Sequence, residues 1–121
     1  MKDHKELDVW KNSIDLVTEI YRLSASFPRE EVYGLTGQMR RAAVSIPSNI
    51  AEGAARNTSK EFVQFLFIAL GSAAELETQL IIAERLGFGD NHTETAHRVL
   101  AIKQMLNGLI RHYRTKGNAN V

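Results

Sequence analysis

Two spacings in this 121-residue chain bring together side chains that can do chemistry. Glu94-Thr-Ala-His97 is a Glu-x-x-His step, which sets a carboxylate and an imidazole on one helix face. A di-iron site in a helical bundle needs that step on two helices and a glutamate from each of two others. The step occurs once, and Glu94 also reads as a capping residue, so no metal site and no cofactor are expected. Arg85 and His92 have the arginine-to-histidine spacing of some small helical ribonucleases. Gly87 and Gly89 fall between them and set the pair across a loop rather than along one helix. His4 and His112 have no ligand spacing to either. The chain has neither a glycine-rich phosphate loop nor a Gly-x-Ser-x-Gly elbow, so a non-enzyme with no small-molecule substrate is expected.

Charge offers another kind of chemistry. The net charge is only +1, but cations and acids are segregated along the sequence. Between Val32 and Lys60, the cations Arg40, Arg41, Arg56 and Lys60 stand against Glu52 alone; from Glu61 to Glu94 acids dominate; beyond Glu94, Arg98, Lys103, Arg111, Arg114 and Lys116 meet no acid. Segregation of this kind can build a basic face that attracts polyanions. Equally, acidic and basic helices could pair with one another.

The elements that must position these groups are helices. There is no strand-like alternation, no repeat and no cysteine, and the length suits one domain. Absence of cysteine and of an apolar leader after Met-Lys-Asp-His predicts a cytoplasmic protein. The most apolar run, Phe62 to Ala74, is shorter than the roughly 20 residues that span a bilayer, so no membrane contact is expected. Four helices are predicted, over about residues 8–25, 34–56, 59–87 and 92–115, in an all-α, antiparallel up-down-up-down four-helix bundle; Lys116 to Val121 reads as a loose tail.

In the first helix Leu7, Trp10, Ile14, Val17 and Tyr21 form one seam, read as buried, with Val9, Leu16, Ile20, Leu23 and Phe27 beside it. The third helix should open on a capping box, Thr58-Ser-Lys-Glu61, and close at Gly87. It has two apolar stripes. The one containing Phe62, Leu66, Ala69, Ala73, Leu76, Leu80 and Ala83 suffices for a core, which leaves Val63, Phe67, Leu70, Ala74 and Ile81 for a subunit interface. The fourth helix should open on a second box, Asn91-His-Thr-Glu94, and bury Val99, Ile102, Leu106, Leu109 and Tyr113.

The second helix contains Pro47, whose missing N–H leaves the Ala43 carbonyl without its helical partner. Ser45, Ser48 and Asn49 surround the break and can bond to freed backbone groups. Arg41 and Glu52 fall on the same polar face and are expected to pair through the hydroxyls. A kink that repairs itself and a functional groove at the kink are both open readings.

The stretch Gly34-Leu-Thr-Gly-Gln-Met-Arg-Arg-Ala-Ala-Val-Ser-Ile-Pro-Ser-Asn-Ile-Ala-Glu-Gly53 carries a family resemblance. With Asp8-Val-Trp10 and Phe27-Pro28 before it and Ala69-Leu-Gly-Ser72 after it, it resembles the four-helix bundle proteins encoded in intervening sequences of bacterial 23S rRNA genes. That family also includes the accessory variability determinant of diversity-generating retroelements. The resemblance spans about Leu7 to Tyr113 and implies an antiparallel four-helix bundle that assembles as a homopentamer. It further implies RNA binding through a basic surface, at Arg40 and Arg41 within the motif; Arg56 and Lys60 are added on charge. The retroelement proteins are strongly basic, whereas this chain is nearly neutral. The function expected is therefore non-enzymatic binding of structured RNA or a ribonucleoprotein by a homo-oligomeric bundle. A protein-interaction scaffold and a small helical ribonuclease are the alternatives.

Overall fold

The computed structural model describes residues 3–119, and they are all-α. Helix α1 covers Asp8–Ser24, α2 Leu35–Ala54, α3 Ser59–Arg85 and α4 His92–Ala119, with single 3-10 turns at His4–Glu6 and Arg29–Glu31. Helix α4 runs past Thr115, where the sequence suggested a tail; Asn120 and Val121 lie outside the described residues.

Local signals set most of the ends. Asp3 accepts a hydrogen bond from the Lys5 backbone N–H at 3.0 Å, which holds its carboxyl below the usual carboxylate range and starts the first 3-10 turn. The Thr58 hydroxyl accepts from the Glu61 N–H at 3.2 Å, as a capping box requires. The reciprocal half differs: Glu61 accepts from the Thr58 hydroxyl, also at 3.2 Å, instead of from its backbone N–H. At the other end of α3, Gly87 takes a left-handed φ of 76°; its N–H donates to Glu84 and that of Phe88 to Ala83, the paired bonds of a Schellman stop. The second predicted box does not form in that way. Asn91 stands at φ 56°, outside the extended region of a capping residue, and Glu94 turns to Arg98 at 3.6 Å.

Each helix packs on two others around a closed circuit: α1 on α2, α2 on α3, α3 on α4, and α4 back on α1. Contacts run in opposite senses along neighbours. Ser45 meets Ser72 while Gly53 meets Phe65; Glu77 meets Lys103 while Phe62 meets Tyr113. This agrees with the up-down-up-down order. The core is filled by Leu16, Ile20, Met39, Ile46, Ile50, Phe62, Leu66, Leu76, Ile102 and Leu106, all nearly or wholly buried.

Two seams differ from the sequence reading. In α1 the buried stripe is Val9, Leu16, Ile20, Leu23 and Phe27; Trp10 and Val17 are only partly covered, and Ile14 and Tyr21 are exposed. Both stripes are apolar, and periodicity fixes the width of an apolar face without saying which part of it turns inward. In α4 Ile110 is buried, whereas Leu109 and Tyr113 pack at the core's margin.

Helix α3 is long and apolar enough, by length and composition, to cross a membrane, which the Phe62–Ala74 run taken alone was not. Its inner face builds the bundle core through Phe62, Leu66, Ala69, Ala73, Leu76 and Leu80. The excess apolar character lies outside, at Phe67, Ile68, Ile81 and Ile82.

Candidate functional site

Pro47 sits within a continuous α2 and is itself buried. The polar groups around it do not serve the Ala43 carbonyl, as expected from the sequence. Asn49 Nδ2 donates to the Ser45 carbonyl at 2.8 Å and to Ser45 Oγ at 2.9 Å, and Ser45 Oγ pairs with Ser72 Oγ at 2.8 Å. Ser45 therefore ties α2 to α3, and Asn49 holds its hydroxyl from within α2. One turn further on, Gly53 lets the two helices approach: a Cβ there would stand 2.6 Å from Phe65 Cβ and 2.9 Å from the Phe62 ring. The expected Arg41–Glu52 pair is absent; Glu52 binds Arg56 at 3.2 Å, one helical turn away on the same face. Eleven residues along a helix is about 16 Å, too far for those side chains to meet.

The four cations singled out in the sequence do not make one surface. Arg40 is committed to the fold: its Nε donates to Ser24 Oγ at 2.9 Å, Nη2 reaches the Tyr21 carbonyl at 3.4 Å, and the guanidinium lies 4.5 Å from the Tyr21 ring centre. Arg41 is exposed beside it, has no ion-pair partner among the described residues, and lies over Gly37. Together they edge a hollow of about 490 Å³ with Tyr21, Gly37, Val44 and Ser45. Arg56 and Lys60 lie at the opposite end of α2, by the turn into α3.

That end gains cations from α4. Phe62 packs edge-on against Tyr113 at 4.9 Å, which brings the last turns of α4 beside the first turn of α3. Arg111, Arg114 and Lys116 are exposed there, and none has an ion-pair partner among the described residues. Arg114 lies 5.2 Å over the Phe67 ring and Arg56 4.8 Å over Phe65, so each guanidinium rests on an aromatic face; Arg56 also donates to Glu52, whereas Arg114 has no ion-pair partner among the described residues. Nothing in the local sequence joins the α4 cations to Arg56 and Lys60. The available signal was the antiparallel order, which places the end of one helix beside the start of the one before it.

Of the residues read as a subunit interface, Phe67 and Ile81 are 43% and 51% exposed, and Leu70 and Ala74 are half-buried. Val63 is a correction: at 8% exposed it belongs to the protomer's own core. The other spacings find local partners. His92 Nε2 bonds the Phe88 carbonyl at 2.7 Å at the start of α4, and Arg85 is exposed at the end of α3. Glu94 pairs with Arg98.

No curated protein matches the chain. A solved structure from Bacteroides thetaiotaomicron VPI-5482, of unknown function and from the S23 ribosomal protein family, is similar with a TM-score of 0.79 and 24% identity, over 92% of this chain and 99% of its own; that likeness speaks to the fold. The model of the 23S rRNA-intervening sequence protein family matches residues 5–108, which take in α1, the Pro47 helix, α3 and most of α4: the chain belongs to that family.

Proposed function

We propose that this protein is a non-enzymatic, self-associating bundle of the cytoplasm that binds structured RNA through its phosphate backbone. The observation that carries the reading is the convergence of Arg56, Lys60, Arg111, Arg114 and Lys116 on one end of the bundle, two of them stacked on phenylalanine rings. Of these, Arg56 alone is ion-paired among the described residues, to Glu52; exposed guanidinium and ammonium groups without such a partner suit phosphate neutralisation, and A-form RNA is recognised largely by shape and backbone. The family's description, which names 23S rRNA, points the same way. Self-association, in the pentamers implied by the family resemblance, is proposed from the uncovered apolar residues of α3.

The test is titration of a labelled RNA hairpin across a salt series. The logarithm of the affinity should fall linearly with the logarithm of salt, and the Arg111→Ala/Arg114→Ala double variant should flatten that slope by about 1.5, or some 0.7–0.9 per lost phosphate contact. Binding that ignores salt, or a double variant with an unchanged slope, refutes the reading. The exposed α3 stripe favours a second reading, a protein scaffold that binds no nucleic acid; on that reading the hairpin is not bound, while assembly depends on α3.

A further inference from the structure

Phe67 differs from the other rings at the basic end of the bundle. Phe62 is core, Tyr113 packs against the core, and Phe65 is wedged against α2, with its Cβ beside Gly53 and its ring under an Arg56 that is also paired with Glu52. Phe67 comes two residues after Phe65 and so stands about 200° round the helix from it, on the side of α4. It belongs to no part of the core and is 43% exposed, although Arg114 lies over one side of the ring at 5.2 Å.

The surroundings of Phe67 are cationic. Lys60 precedes it by two turns, on the same side of α3 and about 10 Å nearer the end of the bundle. Arg111 lies one turn before Arg114 on α4, and Lys116 reaches over the Tyr113 ring at 5.6 Å. Glu61, the acid of the first turn of α3, is held by the Thr58 hydroxyl. One turn beyond Phe67 stands Gly71, exposed, with nothing within 4 Å of where a Cβ would be. The flank of the ring on that side is therefore open.

Phosphate neutralisation does not account for this arrangement, because a half-exposed phenylalanine offers a phosphate nothing. Self-association does not require it either: Ile81 and Ile82 lie about 20 Å further along α3. An exposed ring beside a guanidinium, with cations on both sides, is the surface on which an unpaired base stacks while the neighbouring phosphates are neutralised. A base inside a duplex has both faces taken by its neighbours and cannot use such a platform.

We infer that the RNA held at the basic end carries an unpaired segment beside its helix, and that one base of this segment stacks against Phe67 next to Arg114. The inference rests on the RNA binding proposed above and specifies its substrate: a loop, a bulge or a frayed end in place of uninterrupted duplex.

The test uses the full chain and two labelled RNA hairpins with the same stem and the same number of phosphates, one with an adenosine loop and one with abasic loop nucleotides. The adenosine hairpin should bind about tenfold more tightly, with an unchanged salt slope. Phe67→Leu, which keeps an apolar side chain but no ring, should bind both hairpins equally, at about the parent's affinity for the abasic one. Phe67→Tyr should keep the preference. Circular dichroism and light scattering check that the free variants fold and assemble as the parent does, and Phe67→Gln replaces the leucine variant if that one does not. Equal affinity of the parent for the two hairpins, or a preference for adenosine that survives loss of the ring, overturns base stacking and leaves phosphate binding standing. Binding of neither hairpin overturns both.

Discussion

Replacing Gly53 by alanine tests whether the α2–α3 contact is as close as described. A Cβ at this position would stand 2.6 Å from Phe65 Cβ, 2.9 Å from Phe62 Cδ1 and 3.3 Å from the Phe62 carbonyl oxygen. None of these atoms is the far end of a flexible chain: one is a Cβ fixed to its backbone, one belongs to a buried ring packed on Tyr113, and one is backbone itself. Relief requires the helices to separate locally by about 1 Å, and such overpacking costs about 1–3 kcal/mol. With two immovable neighbours under 3.0 Å the cost falls in the upper part of that range, about 2–3 kcal/mol; alanine recovers about 1 kcal/mol of helix propensity, so a net loss of about 1–2 kcal/mol is expected. For a chain of this length that lowers the melting temperature by about 4–8 °C. Gly108→Ala is the internal control, since its new Cβ would find only the end of Arg111, at 3.9 Å. There the propensity gain of about 1 kcal/mol stands alone, and the melting temperature should rise by about 4 °C. Both are read by calorimetry at one protein concentration. A Gly53→Ala protein that melts at or above the parent, with Gly108→Ala behaving as stated, refutes the claim that steric approach fixes glycine at position 53.

Two further predictions concern single side chains. Thr58→Ala removes the hydroxyl that accepts from the Glu61 N–H and should cost about 1 kcal/mol in urea unfolding, whereas Thr58→Ser should recover most of it. Arg40→Ala should cost about 1 kcal/mol, through the lost bonds to Ser24 and the Tyr21 carbonyl, while Arg41→Ala should leave stability of the isolated protomer within about 0.5 kcal/mol. Equal effects at the two positions would contradict the division of labour between these neighbours.

The helices were legible because their signals are local. Thr58 and Gly87 mark the ends of α3 by chemistry that needs only the next few residues, and the core stripe of α3 follows from period alone. What stayed hidden depends on rotation or on distance in sequence. The two apolar stripes of α1 are interchangeable until the neighbours are in place, so the inward one was misjudged. Val63 borders both faces of α3, and a small rotation decides its side. Arg41 and Glu52 share a polar face but not a level, and the shorter Glu52–Arg56 step wins. The basic end joins residues about fifty positions apart in sequence, which no window of local pattern can connect. Membership of the family was readable in the Pro47 stretch, whereas the separation of Arg40 and Arg41 from Arg56 and Lys60 required the fold.

The close approach at Gly53 also makes a mechanical statement about α3. This helix approaches α2 closely near its own first turns, at Phe62 and Phe65, and then runs on to Arg85, about 30 Å further. Geometrically it is a lever with its fulcrum at one end. A tilt of only about 5° at Gly53 would carry Ile81 and Ile82 sideways by about 2–3 Å, the width of a methyl group, while Phe67 would barely move. The Ser45–Ser72 bond lies partway along the arm, where it resists that swing with the best leverage two hydroxyls can have near the middle of the helix. A single glycine and a pair of serines thus add to the burial of Leu76, Leu80 and Ala83 in setting how accurately the far half of α3 is aimed.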